Sequence, residues 1–311
     1  MKNDNTLTII MYHYVRPIAK SKYPRIKGLE ISGFKRQLDY LEANFRIVSS
    51  EDVIDSVTKN ILLPPKACWL TFDDGYKDHF RYVLPELLDR NISGAFFPPS
   101  TVIQDAKILN VNSIHHILAS TTDSETLVKR LNSLCLEIGL KAGQIQSFYD
   151  TFAIANRFDT ATTIYFKRML QHALPEEIRD QIVTTLFEEY IGLNERTFSD
   201  ELYMNLQEVK ELVQMGMYVG SHGTMHSWLN KLPKNKQKTD ILLSLEFLEE
   251  VGTSTKNWVM CYPYGAYDDT TISLLEEFKA SLAVTTEVRT AHIGQDHPLK
   301  LPRFDTNDFP Q

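Results

Sequence analysis

The sequence predicts an α/β fold in which about seven parallel strands alternate with helices, with one helical insertion. Three observations lead to this prediction. Short apolar, β-rich runs recur along the chain, segments with a 3.6-residue apolar period lie between them, and one long stretch has the helical period alone. Hydrophobic residues make up 43% and charged residues 23% of the 311 positions, which is typical of a globular protein with a full core. We therefore expect a single domain over residues 1–311.

The predicted elements follow one another in strand–helix order. Seven apolar runs are predicted as strands: residues 7–13, 67–72, 94–98, 217–222, 258–263, 282–286 and 300–304. Helical periodicity is clearest at residues 34–43, 83–90, 206–215, 241–250 and 272–278. Strands that alternate with helices are expected to pair in parallel. Residues from about 101 to 204 show helical patterns without a strand, above all at 124–140 and 175–190, and are predicted as the insertion.

Composition and charge exclude several classes of protein. The formal net charge of −7 gives no overall attraction to nucleic acid, so no nucleic-acid partner is expected. The three cysteines are too widely spaced for a zinc pattern or a dense disulfide framework, and Cys68 and Cys261 are predicted as buried thiols. The first residues lack the apolar length of a secretory signal, and no stretch approaches the ~20 apolar residues of a membrane span. The expected location is the cytoplasm, with peripheral membrane contact left open.

The strongest chemical signal is an apolar strand that runs directly into two carboxylates and a glycine, Asp73, Asp74 and Gly75. Adjacent residues that leave a strand point in different directions, so one carboxylate can bind a metal while the other faces a water. Gly75 permits the sharp turn that follows. The alternative is an Asp-Asp-Gly turn with two solvated acids.

Two histidines four residues apart, His222 and His226, begin where another predicted strand ends. They can converge on one ion if the intervening residues turn helically, and surface histidines are the alternative. With Asp74 they supply three ligands, which leaves open the coordination positions that a hydrolytic metal site requires. Asp73 then remains beside the metal for proton transfer.

A third motif, Tyr-Pro-Tyr-Gly, ends the apolar run that begins at residue 258. Pro263 stiffens this turn, and the backbone N–H of Tyr264 is a candidate donor to a developing oxyanion. The alternative is an ordinary turn between a strand and a helix.

The order of TFDDG, SHxxxH and YPYG resembles that in the NodB-homology polysaccharide deacetylases of carbohydrate esterase family four. The resemblance implies an irregular (β/α) barrel and covers roughly residues 5–100 and 205–305. It implies that Asp73 is the general base, that Asp74, His222 and His226 bind the metal, and that the Tyr264 N–H helps to hold the oxyanion. The implied reaction removes acetyl groups from N-acetylated sugars. The implied cofactor is a divalent metal, Zn²⁺ first, with Ni²⁺, Co²⁺ or Mn²⁺ as alternatives.

Two departures from the family pattern affect this interpretation. Gly223 follows the first histidine where the family usually has Ser or Thr, and Thr224 is a partial substitute for the lost hydroxyl. Cys261 stands where many members have an arginine that orients the base. Arg303 is the candidate to replace that arginine and pair with Asp73, the alternative being a surface arginine.

The YPYG form resembles the branch that contains the biofilm poly-N-acetylglucosamine deacetylases. That branch has an N-terminal Met-Tyr-His strand whose histidine is the general acid, and this chain has Met-Tyr-His ending at His13. The resemblance therefore implies that His13 donates a proton to the leaving amine. A structural hydrogen bond at the strand end is the alternative.

The loop after the first strand predicts an anionic substrate. It carries five cationic residues: Arg16, Lys20, Lys22, Arg25 and Lys27. In a chain of negative net charge this cluster favours a nucleotide-linked or lipid-linked sugar, or an acidic sugar, with Arg16 and Lys27 as contacts. The alternative is a solvated loop.

Three aromatic residues follow the motifs and are candidates to stack on sugar rings: Tyr76, Trp228 and Tyr267. Core packing is the alternative for Trp228.

The resulting hypothesis is a metal-dependent de-N-acetylase in the biosynthesis of a surface polysaccharide, such as lipopolysaccharide O-antigen or capsule. A deacylase of another amide or ester is one alternative. A catalytically silent carbohydrate-binding homologue is another. The insertion is also a candidate interface for a homo-oligomer.

Overall fold

The computed structural model describes residues 5–156 and 159–311 and contains strands and helices in alternation. The strands are β1 (Thr6–Tyr12), β2 (Val15–Arg16), β3 (Leu29–Glu30), β4 (Arg46–Ile47), β5 (Ala67–Asp73), β6 (Ala95–Phe97), β7 (Tyr218–Val219), β8 (Val259–Cys261), β9 (Leu282–Val284), β10 (Ala291–His292) and β11 (Phe304–Asp305). The α-helices are α1 (Ile31–Asn44), α2 (Ser50–Lys59), α3 (Leu84–Asp89), α4 (Ser100–Gln104), α5 (Asn110–Ser120), α6 (Ser124–Glu137), α7 (Ala142–Phe152), α8 (Ala161–Arg168), α9 (Glu176–Ile191), α10 (Glu195–Leu202), α11 (Leu206–Gln214), α12 (Lys234–Val251) and α13 (Asp269–Glu277).

The chain divides into two compact units. The first unit comprises the described residues up to Arg16, together with Gly28–Lys107 and Ser199–Gln311. The second unit comprises Pro17–Lys27 and Ile108–Phe198. A single deacetylase domain with a helical insertion at about residues 101–204 stays a prediction.

A parallel sheet forms the centre of the first unit. β1 pairs in parallel with β5 over six residue pairs and with β11, while β5 pairs in parallel with β4 and β6, and β6 with β7. β8 and β9 form a parallel pair, and isolated parallel bridges join Ser221 to Met260 and Val284 to Leu301. This order of pairing fits an irregular (β/α) barrel, and the prediction of an α/β fold with parallel strands is confirmed.

The strands are buried on both faces where helices cover them. All seven residues of β5 are buried, which explains why its sequence is an uninterrupted apolar run up to Thr71. Parallel strands bring their carboxyl ends to one edge of the sheet. The residues that follow β1, β5, β7 and β8 are therefore expected to lie near one another.

Some predicted strands are shorter in the structure. The strand predicted at 217–222 is two residues long in β7, because Ser221 leaves the ladder for a single bridge to Met260. β10 was not predicted and pairs antiparallel with β1, at Thr6↔His292 and Leu7↔Ala291. Among the helices of the described residues, none has the length and apolar character needed to cross a membrane.

The second unit is helical in its described residues. α6 and α9 correspond to the helices predicted at 124–140 and 175–190, and α9 begins after Pro175 and ends at Gly192 in the left-handed conformation. α5 packs against α9, and α6 against α8. Ile114, Ile182 and Leu186 are buried within the unit, so these apolar residues do not form the exposed face that the oligomer prediction needs.

Candidate metal and catalytic site

The three motifs meet at the carboxyl edge of the sheet in the first unit. Asp73 is the last residue of β5 and Asp74 follows it, whereas His222 comes three residues after the end of β7. Tyr264 lies in the turn Pro263–Gly265 after β8. The parallel pairing of the strands explains why residues so distant in sequence come together.

Asp74, His222 and His226 are buried and bring one ligand atom each to within 4.8 Å of one another. Asp74 Oδ1 lies 3.5 Å from Nε2 of His222 and 3.4 Å from Nε2 of His226. Ligand atoms at zinc distances in a tetrahedral site are roughly 3.3 Å apart. Asp74 Oδ1 is buried and has no hydrogen-bond partner among the described residues, as a metal-ligating atom would. The three side chains therefore fit a divalent cation.

Neighbouring groups orient two of these ligands. His222 Nδ1 lies 2.7 Å from the carbonyl oxygen of Cys261 and must donate to it, because a carbonyl oxygen only accepts. This leaves Nε2 on the side of Asp74, where it could bind a cation once it has lost its proton. The Tyr76 hydroxyl donates to Asp74 Oδ2 at 2.5 Å, so Oδ1 is the oxygen left for a cation.

Three residues of the candidate site have a strained backbone. Asp74 (φ 71°), His226 (φ 53°) and Tyr264 (φ 58°) all adopt the left-handed conformation. Each such residue costs on the order of 1–3 kcal/mol and persists only where its surroundings fix it, which is common at functional sites.

Asp73 is held by an arginine from the other end of the chain. Arg303 Nη1 and Nη2 donate to the two carboxylate oxygens of Asp73 at 2.9 and 2.8 Å, and both side chains are buried. Arg303 also donates to Thr285 O at 2.9 Å and to Thr71 Oγ1 at 3.1 Å, which fixes the guanidinium. Arg303 therefore pairs with Asp73, and the catalytic roles of both residues stay predictions.

Burial alone raises the pKa of a carboxyl group, but the pKa values of the two adjacent acids are lowered. Burial raises the pKa of Asp73, but Arg303 outweighs burial and holds it below its usual value. Burial also raises the pKa of Asp74, and the neighbouring His222 outweighs burial and holds this pKa well below its usual value. Both acids are therefore ionised at neutral pH.

Without a bound cation, the two histidines differ in pKa. Burial lowers the pKa of His226 to about 3, so its imidazole is neutral. Burial also opposes the charged form of His222, but the neighbouring Cys261 and Asp74 raise its pKa well above the usual value. Because a cation would occupy the position of the His222 Nε2 proton, cation binding should release that proton.

His13, the candidate general acid, follows β1 and is half-buried. It is among the groups that lower the pKa of Asp73 and of Asp74. His79 Nε2 donates to the carbonyl oxygen of His13 at 2.8 Å, and burial lowers the pKa of His79 to about 4.

The aromatic candidates fall into two groups. Trp228 stacks on Tyr264 with centroids 4.4 Å apart, and Tyr264 in turn contacts the ring of His226. Tyr267 stacks on Tyr262. Trp228, Tyr264 and Tyr267 are half-buried, so parts of these rings are accessible beside the site.

The structure places Tyr76 differently from the sugar-stacking position expected for it. Its ring is fully buried between Tyr14 and Tyr203, with centroids 4.2 and 6.0 Å away. The ring therefore has no open face for a sugar, and its hydroxyl instead holds Asp74.

The two cationic candidates lie in different units. Arg16 belongs to the first unit and pairs with Asp78 at 2.5 Å, with its guanidinium over the ring of Tyr14. Lys27 belongs to the second unit, where it pairs with Asp159 at 2.5 Å. Lys27 also lines a cavity of about 350 Å³ within that unit; Arg25 and Lys167 are further lining residues.

Sequence reasoning missed one further residue beside the candidate metal ligands. Asp240, on α12, is buried and accepts hydrogen bonds from the backbone of the loop between His222 and His226. A signal was present, because an acid on the buried face of a helix requires partners. No sequence pattern indicated which loop would supply them.

Comparisons with known proteins agree with the fold. Residues 152–283 match the family model described as polysaccharide deacetylase; this segment contains the second and third motifs but not Asp73 and Asp74. No curated protein matches the chain.

Solved structures with the same fold include three bacterial proteins. The deacetylase PplD of Streptococcus pyogenes, in complex with acetate, is 18% identical with a TM-score of 0.59, covering 96% of this chain and 92% of that one. IcaB from Ammonifex degensii is 20% identical with a TM-score of 0.58 and coverages of 97% and 91%. The BpsB deacetylase domain from Bordetella bronchiseptica is 15% identical with a TM-score of 0.57 and coverages of 97% and 96%.

These comparisons do not distinguish branches of the family, so the MYH and YPYG branch stays a prediction. The family match in sequence and the shared fold together confirm the resemblance of this chain to the NodB-homology polysaccharide deacetylases of carbohydrate esterase family four.

Proposed function

We propose that this chain is a metal-dependent de-N-acetylase of an N-acetylated sugar. The family match supports polysaccharide deacetylase activity. The observation that carries the finer proposal is the convergence of the Asp74, His222 and His226 ligand atoms beside the ionised Asp73. A silent binding protein would have no need for three buried metal-ligating groups next to a paired, buried base.

A bound divalent cation would supply Lewis acidity, lowering the pKa of a water and polarising the acetamide carbonyl. Asp73 would accept the proton of the attacking water, and Arg303 would keep Asp73 ionised and fixed in direction until then. The buried surroundings of both acids exclude bulk water from this proton transfer.

The two remaining roles, oxyanion donor and general acid, concern the tetrahedral intermediate that forms when water attacks the acetamide. The backbone N–H of Tyr264 would donate to the oxyanion, and the left-handed conformation of that residue fixes its direction. His13 would give a proton to the nitrogen as the C–N bond breaks, releasing acetate and a free amine. His13 is one of the groups that lower the pKa of Asp73 and of Asp74, which supports a position near both acids.

The substrate proposal rests on the cationic residues of the Pro17–Lys27 segment. Arg25, Lys27 and Lys167 line one cavity of the second unit together with a single acid, Asp159. This local excess of positive charge supports an anionic, nucleotide-linked or lipid-linked sugar. We place such a step in cytoplasmic assembly of a surface polysaccharide, of the O-antigen or capsule type, with zinc as the metal and peripheral membrane contact only where the sugar is lipid-linked.

The test is the Asp73→Asn variant assayed for acetate release. It should keep wild-type metal affinity and lose at least about 100-fold in kcat, because a general base contributes that much or more. A variant with wild-type turnover would remove Asp73 from the mechanism.

A deacylase acting on another amide or on an ester is the second candidate, because a metal-activated water does not select the acyl acceptor. A panel that pairs N-acetylated sugars with O-acetylated ones separates the two. Faster release from the esters would favour the second candidate.

A further inference from the structure

The loop with the two histidine ligands, residues 222–226, is held by an acid from outside the motifs. We name it the metal loop. Asp240 on α12 is only 6% exposed, and its Oδ1 and Oδ2 lie 3.1 and 3.2 Å from the Thr224 backbone N–H that donates to them. The Met225 N–H donates to Oδ2 at 3.4 Å, and the Thr224 hydroxyl donates to the Asp240 carbonyl oxygen at 2.9 Å.

Gly223 provides the space for this carboxylate. Its φ of +68° is in the left-handed region, and a Cβ added there would lie 2.6 Å from Asp240 Oδ1. Any side chain at position 223 would therefore strain the backbone and displace the carboxylate. The position of the Asp240 carboxylate therefore depends on a glycine at residue 223.

The opposite side of the metal loop is fixed by α4. The backbone N–H groups of Ser100 and Thr101 donate to the carbonyl oxygens of Gly223 and Thr224, at 3.3 and 3.1 Å. The loop is thereby held through its N–H groups on one side and through its carbonyl groups on the other. His226, which ends the loop, adopts the left-handed conformation.

We propose that Asp240 is a positioning residue for metal binding, whose carboxylate fixes the metal loop so that His222 and His226 face Asp74. This inference rests on the proposed metal site. Burial raises the pKa of Asp240 despite the hydrogen bonds from the loop, so the chain keeps a costly buried acid at this place. Groups that orient metal ligands typically change metal affinity 10–100-fold when they are altered.

The first test uses the Asp240→Asn variant of the full chain, stripped of metal and titrated with zinc by calorimetry. The asparagine amide has one accepting oxygen where the carboxylate has two, so it cannot make all the same contacts. The zinc Kd should therefore rise at least about 10-fold. KM for the sugar at saturating zinc should stay at the wild-type value. Asp123→Asn is the matched control, because Asp123 also accepts a backbone N–H, from Thr126 at 2.9 Å, but caps α6 in the second unit.

The second test approaches the same contact from the loop. Gly223→Ser should weaken zinc binding, and its effect should be smaller in an Asp240→Ala background, because the displaced carboxylate is then gone. Gly216→Ser is the control for backbone strain alone, since Gly216 has a φ of +82° but nothing within 4 Å of an added Cβ.

The outcomes separate this inference from the proposed function. A wild-type chain that binds no zinc would overturn the proposed function. A wild-type chain that binds zinc, with Asp240→Asn variants of equal Kd and lower melting temperature, would make Asp240 merely structural and overturn the inference. If Asp240→Asn does not fold, a wild-type Kd in Gly223→Ser overturns it instead.

Discussion

The two compact units use their charged residues differently. In the first unit, Asp73, Asp74 and Arg303 are at most 3% exposed and are fixed by specific partners. In the second, ion pairs such as Arg130–Glu189 lie at the surface, with side chains 32% and 37% exposed. A buried charge costs folding free energy unless a partner charge and hydrogen bonds compensate for its desolvation. A surface ion pair costs little and contributes little to stability. The difference supports our proposal that the chemistry belongs to the first unit, with the described helices of the second unit contributing packing and the proposed substrate cavity.

The largest expected effect comes from removing a ligand. Asp74→Asn should abolish zinc binding at micromolar zinc and lower kcat/KM by at least about 1,000-fold, because the hydrolytic step loses its Lewis acid. Zinc titration and acetate release measure the two effects. Asp78→Asn is the control, an acid nearby in sequence that pairs with Arg16 and not with the histidines; equal losses in both variants would contradict the assignment.

The next effect concerns the pKa of the base. Arg303 holds the Asp73 pKa low, so Arg303→Met should raise it and move the acidic limb of the kcat/KM profile to higher pH by about 1–3 units. Arg303→Lys keeps one positive charge without the two-point contact and should give a smaller shift. An unshifted acidic limb in Arg303→Met would show that Asp73 is not the group that titrates.

Much of this site was readable from the sequence, and the reason is local. Asp73 and Asp74 lie at the end of β5, and His222 and His226 lie in the loop after β7. Parallel pairing brings such residues to one edge of the sheet regardless of their distance in sequence. Arg303 could be proposed because it ends the last apolar run. The buried position of Tyr76 could not, because burial depends on Tyr14 and Tyr203, which come from other segments. Asp240 was missed for the same reason, as was the two-residue antiparallel strand β10.

A core substitution in the second unit should affect stability without affecting chemistry. Leu131 on α6 is fully buried, and Leu131→Ala should lower the free energy of unfolding by about 2–5 kcal/mol, because it leaves a cavity. The zinc Kd of the folded variant should not change. Chemical denaturation and zinc titration test both halves, and a weakened Kd would contradict the division of roles between the units.

The smallest expected effect is at Lys27. Its side chain is 61% exposed, so losing the pair with Asp159 in Lys27→Ala should change the free energy of unfolding by less than about 1 kcal/mol. If the substrate is anionic and bound here, KM should rise a few-fold at low salt and converge on wild type at high salt. A salt-independent KM, equal in both proteins, would remove Lys27 from substrate binding.

The most direct test of the central claim is the anomalous diffraction signal of zinc in crystals of the wild-type chain. One strong peak should lie about 2.0–2.2 Å from Asp74 Oδ1 and from Nε2 of both His222 and His226. Zinc bound elsewhere, or none at these atoms at saturating concentration, would contradict the account.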